Sequence, residues 1–143
     1  MNIKLNKVND AVHFEGSSNT TSVKVHIDGS PDIGGAGLGA RPMELVLMAL
    51  GSCSALDLVS ILKKQRQQID GMHINVEGAR RETIPNVFTR IHISFVLKGI
   101  IDLPKAERAA ELAVKKYCSV HDMLAAGGID ITYDVQVEEE NLT

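Results

Sequence analysis

The sequence has no tryptophan, and aromatic residues make up only 3% of its 143 positions. That scarcity argues against a surface on which nucleobases stack. A charge excess is missing as well. The net charge is −3 with both signs interspersed, so neither a nucleic acid nor any other polyanion is expected as a partner. Cysteine occurs twice, at Cys53 and Cys118, too few and too far apart for a standalone structural zinc site. No HExxH, GxSxG or paired metal-ligand spacing occurs either. The opening stretch, MNIKLNKVNDAVHFEG, lacks the apolar segment of a secretion signal. The expected compartment is therefore the reducing cytoplasm, where two cysteines are thiols or a redox pair rather than a structural bridge. With no internal repeat, residues 1–143 read as one domain, long enough for a core without disulfides.

What the chain does have is one long apolar segment, PMELVLMALGSCSALDLVSILKKQR, from Pro42 to Arg66. Pro42 suits the first helical position. Glu44 complements the positive end of the helix dipole, and Lys63, Lys64 and Arg66 complement the negative end. Met43–Leu50 is apolar on nearly every side, which predicts a half surrounded by protein; beyond Cys53 the pattern becomes amphipathic and predicts emergence from the core. Glu44, Gly51, Ser52, Ser54, Asp57 and the basic tail speak against a membrane span.

Before this helix, the alternations Ile3/Leu5, Val12/Phe14 and Val23/Val25/Ile27 predict three short strands forming an antiparallel meander with one wet face. Asn9-Asp10 and the cluster Gly16–Thr20 are its expected turns. The loop GSPDIGGAGLGAR carries five glycines but not the GxxxxGK[ST] pattern, so its glycines are expected to let the chain fold back closely or to line a wall of a site. After the helix, Met72/Ile74/Val76 and Ile91/Ile93/Phe95/Leu97 predict a hairpin turning near Ile84-Pro85-Asn86. A second helix follows from Pro104, with a stripe of Ala106, Ala109, Ala110, Ala113, Val114 and Tyr117. A candidate short helix, Val120 to Ala126, and a last strand in which Ile129, Ile131, Tyr133, Val135 and Val137 face inward complete the order βββ-α-ββ-α-β. This is an α+β arrangement.

Two readings of the thiols stay open at this level. Buried cysteines commonly serve as small hydrophobes. Against that, Cys53 lies in a run of small residues, Gly51-Ser52-Cys53-Ser54-Ala55, and Cys118 stands at a helix junction where backbone amides can stabilise a thiolate. His13, His26, His73 and His92 fall on the polar side of their strands. His121 is near a thiol in sequence, where a charged ring would lower that thiol's pKa, though a plain surface role is the favoured reading. Glu44 is nine residues from Cys53, roughly 13 Å of rise and half a rotation, so it is expected to reach a thiol only across a subunit boundary.

RPMELVLMALGSCSALDLVSILKKQR, the later KYCSVHDML and the element order together resemble the OsmC/Ohr family, and among its members the broader OsmC-like branch. The resemblance implies an OsmC-like fold in an intertwined homodimer. It also implies thiol-dependent reduction of small organic hydroperoxides, in oxidative or osmotic stress defence, without metal, flavin or other cofactor. Cys53 would be the peroxidatic thiolate and Cys118 its resolving partner, with a dithiol, lipoyl-type in the best-known members, as reductant. Arg41 and Glu44 would supply the activating charges. Two positions depart from the family's peroxidases: Met43 stands where they place a carboxylate, and no arginine precedes Arg41. The alternative is a non-enzymatic dimer of the same fold that binds a small apolar ligand at the subunit interface; a third reading is a plain dimer with inert cysteines.

Overall fold

The computed structural model describes residues 1–139. The backbone groups into two compact units, Met1–Val46 and a second beginning at Leu47.

In the first unit, β1 (Ile3–Lys7), β2 (Phe14–Ser18) and β3 (Val25–Ile27) form an antiparallel meander in that order. Leu5 pairs with Gly16, and Gly16 with Val25. The sequence placed Gly16 in a turn and Val12 and Val23 in strands. Gly16 instead lies mid-strand, where a Cβ would come within 3.2 Å of Leu5 and 3.5 Å of Ile27. The missing side chain makes room for its apolar neighbours. Nor is only one face wet, because all five residues of β1 are exposed.

The glycine loop is built around Asp28, which is 2% exposed. Its carboxylate accepts the backbone N–H groups of Gly29 at 2.8 Å and of Ala36 and Leu38 at 3.0 Å. The Leu38 and Ala36 amides, in that order, hold this carboxyl below its ordinary value. The close approach expected of the glycines is present: a Cβ on Gly39 would sit 2.4 Å from the His26 carbonyl oxygen. The loop's amides thus face the protein's own carboxylate. A 3-10 turn, Pro31–Ile33, lies within the loop, and α1 (Pro42–Lys64) begins after it.

In the second unit, β4 (Gln68–Arg80) and β5 (Phe88–Ile100) make the expected long antiparallel hairpin, and β6 (Asp130–Glu138) lies parallel to β5. Parallel pairing requires a crossover. It is supplied by α2 (Leu103–Glu111), a π-helical stretch Leu112–Tyr117, and α3 (Ser119–Ala126). Asp102 caps α2 by accepting the Lys105 N–H. Ile91, Ile93, Phe95 and Leu97 are at most 1% exposed, and the alanine stripe with Val114 is wholly buried. Burial of each large side chain stabilises the fold by roughly 1.5–3 kcal/mol. Tyr117, assigned to that stripe from sequence, is 52% exposed, because the wider π turn breaks the spacing an α-helix would keep.

The long helix reverses the expectation drawn from its pattern. Its buried positions are Leu50, Gly51, Ser54, Leu58 and Leu62, so the amphipathic C-terminal half carries most of the core contacts. Gly51 permits a close approach to β4, since a Cβ there would lie 2.9 Å from Val76. Met48 and Leu56 are exposed, so the single chain does not surround the apolar half. By length and composition this helix could cross a membrane, with 28% of its most apolar stretch buried within this chain.

Candidate functional site

The two cysteines, 65 residues apart in sequence, are neighbours in the second unit, both as free thiols. Small residues make this possible on the α1 side. On the other side, the π-helical stretch ends at Cys118, whose backbone is extended (φ −74°, ψ 104°) and which serves as N-cap of α3. A break at this position lets a new helix start beside Cys53.

The start of α3 therefore defines the electrostatics of the site. Partial burial pushes the Cys53 thiol up, but the Val120 N–H, the Cys118 thiol, and the Ser119 hydroxyl and N–H pull it down, and the net direction is below the ordinary value. The Ser119 hydroxyl lies 4.0 Å from the Cys53 sulfur. Amides at a helix N-terminus favour a negative sulfur for the same reason that they bind anions.

Cys118 goes the opposite way. It is 1% exposed, and burial is the leading reason its thiol is pushed up. The adjacent Cys53 sulfur adds to the rise, whereas the Ser54 hydroxyl and the His121 N–H oppose it. That N–H donates to the Cys118 sulfur at 3.3 Å. Ser54 Oγ is buried and completes no hydrogen bond of normal geometry; the Cys118 sulfur is the polar neighbour it faces. One thiol is thus prepared to ionise and the other to keep its proton.

Of the other residues expected here, Glu44 accepts the backbone N–H of Arg41 at 3.0 Å, and the Arg41 carbonyl accepts the Leu45 N–H at 3.1 Å. Glu44 is the reciprocal half of a capping arrangement, occupied in starting its own helix. His121 acts on Cys118 through its backbone rather than its ring; the ring Nδ1 stands 3.5 Å from the Asp122 carboxylate. Ser119, Val120 and Ser54 were missed. Their signal was present: a serine directly after Cys118 at a predicted helix start, and a serine directly after Cys53. Nothing in the spacing says which helix end will face which sulfur. Among the described residues, no group of three or more His, Cys, Asp or Glu side chains converges as a metal site.

Residues 34–134 match the family described as OsmC-like protein. The chain belongs to that family. Protein YhfA of Escherichia coli K12 is 45% identical over 98 residues, which cover 67% of this chain and 72% of YhfA. A hypothetical protein of Aquifex aeolicus VF5, solved as a crystal structure, is 32% identical with a TM-score of 0.79, covering 96% of this chain and 97% of that one. An organic hydroperoxide resistance protein from Elizabethkingia anophelis superposes with a TM-score of 0.70 at 14% identity, covering 96% and 97% of the two chains. That likeness is one of fold. The OsmC-like α+β architecture expected from the sequence is the one observed.

Proposed function

We propose that this protein reduces small organic hydroperoxides through Cys53 and Cys118. The observation that carries the reading is the pair's placement at the start of α3, where the same few residues lower one thiol's pKa while burial raises the other's. The Cys53 thiolate attacks the outer peroxide oxygen. The O–O bond breaks, the alkoxide takes a proton and leaves as the alcohol, and Cys53 becomes a sulfenic acid. The Cys118 thiol then displaces that hydroxyl as water, and a disulfide forms. A dithiol, lipoyl in type, reduces it by exchange and restores both thiols.

In this reading the α3 amides and the Ser119 hydroxyl take the place of the arginine that the N-terminal strands lack. In a cytoplasmic homodimer, Arg41 and Glu44 act only at the thiols of a second subunit. The exposed Met48 and Leu56 on α1, and Ile3 and Leu5 on β1, support a partner that covers apolar surface. The names of distant relatives of the same fold, hydroperoxide resistance protein among them, support the choice of peroxide.

Thiol titration before and after one equivalent of cumene hydroperoxide tests the reaction. Both thiols should disappear and return with dithiothreitol. Two thiols still titratable after peroxide would overturn it, as would undiminished peroxide consumption by Cys53→Ser.

A second reading has its own observation. A groove of about 420 Å³ in the first unit is lined by Ile3, Leu5, Val25, Ile27, Pro42 and Leu45 and is almost wholly apolar, as a site for a small apolar ligand would be. Retained thiols together with saturable binding of an apolar fluorophore would favour it.

A further inference from the structure

The polar face of the β2–β3 pair carries a cluster that the thiol chemistry does not use. His13 immediately precedes β2 and His26 lies in β3, and their ring nitrogens, Nε2 of His13 and Nδ1 of His26, are 3.0 Å apart. The ring centroids are 5.1 Å apart and the planes are inclined by 42°. Glu15, opposite His26 in the strand register, lies on the same face and is paired with Lys24 at 3.0 Å. The nearby Asp28 carboxylate is committed to its three loop amides.

Both histidines are held by backbone that is itself fixed. The His13 N–H donates to the Asn9 side chain at 3.2 Å, and the His13 carbonyl accepts the Val8 N–H at 2.9 Å. The His26 carbonyl accepts the Ala40 N–H at 3.1 Å, against the segment that Gly39 brings close. Two imidazoles are thus brought together with little left to order on binding. An exposed hydrogen bond between the two rings contributes little by itself, and the same spacing also fits two ligands of one metal ion.

Two metal–nitrogen bonds of about 2.05 Å place their nitrogens about 3.3 Å apart at a tetrahedral angle and about 2.9 Å apart at 90°. The observed 3.0 Å is close to the right-angle value, the cis arrangement of a square-planar or tetragonal ion. Imidazole nitrogen in that geometry selects Cu(II) or Ni(II). We infer that His13 and His26 form a two-nitrogen site for Cu(II) or Ni(II), with water completing the coordination and the Glu15 carboxylate beside it. No net proton needs to leave: the ring whose facing nitrogen carries the hydrogen of that bond changes tautomer, leaving His13 with its hydrogen on Nδ1 and His26 with its hydrogen on Nε2, and both facing nitrogens free for the ion. The torsion that turns an imidazole ring is broad, so turning each ring toward the ion is a small adjustment.

Calorimetric titration of the full chain with Ni²⁺ tests the site, run in parallel on the Cys53→Ser/Cys118→Ser variant so that thiol ligation is separated. Both proteins should take up one ion per chain. His13→Gln and His26→Gln should each weaken binding about tenfold or more, while His73→Gln leaves it unchanged. On the unsubstituted protein, substoichiometric Cu²⁺ should broaden the ring signals of His13 and His26 before those of the other histidines, a readout that does not depend on a variant folding. Affinity unchanged from the unsubstituted protein in both His→Gln variants would overturn the inference. So would uptake that vanishes with the cysteines, or broadening led by His73, His92 or His121.

Discussion

The two sheets have three strands each, yet they bury their side chains very differently. In the second unit, the central strand β5 leaves Ile91, Ile93, Phe95 and Leu97 at most 1% exposed. In the first, Ile3 and Leu5 are each 59% exposed and Val25 is 46% exposed. What is ordered there is polar: the Asp28 carboxylate with its three amides, and the close backbone approach at Gly39. The difference shows two ways of fixing a sheet. One excludes water over a large apolar area; the other satisfies backbone donors around a single buried anion.

The largest way to break the comparison is Phe95→Ala, expected to cost about 3–5 kcal/mol through lost burial and a residual cavity, as read by denaturant unfolding. Gly39→Ala attacks the other kind of order. Its methyl would meet backbone rather than a movable side chain, and about 1–3 kcal/mol should be lost.

Asp28→Asn should show a smaller effect, and one that depends on pH. The Asp28 pKa in the folded protein is below the ordinary carboxylate value. Its contribution is therefore present above the unfolded value, near 3.8, and is lost as pH falls through the folded value. The Asn variant should be less stable at neutral pH and should have a flatter acid limb in a thermal melt.

Leu5→Ala is expected to have the smallest effect on an isolated chain, within about 0.5 kcal/mol. In the proposed homodimer it would instead weaken association. Sedimentation of Leu5→Ala and Met48→Glu over a range of concentrations reads that directly; unchanged dimers in both would remove these faces from the interface. At the site, alkylation rates against pH should give Cys53 a midpoint below the ordinary thiol value and Cys118 one above it, following the two opposite shifts. A single shared midpoint would contradict the division of roles.

Much of this was legible in the sequence because it depends on local periodicity. Alternation in Ile91–Leu97 fixes a strand whichever partner it finds, and Pro42 followed by Glu44 starts a helix wherever it lies. The nearness of the two cysteines was not legible in their positions; only the resemblance to the OsmC/Ohr family implied it. The misassignments share a cause. Gly16 inside a strand, Tyr117 outside its stripe, and the reversed burial of the long helix all depend on what packs against the element rather than on the element itself.

By itself, then, the sequence determined the order of elements and the α+β class, since both follow from residue type and short-range spacing. Only the tertiary structure decided that α3 would start beside Cys53, that Glu44 would cap its own helix, and that burial would push the Cys118 thiol up. Those outcomes depend on the direction in which a backbone amide points and on how much water a neighbour excludes. Both are set when distant segments meet, and neither is encoded within any one of them.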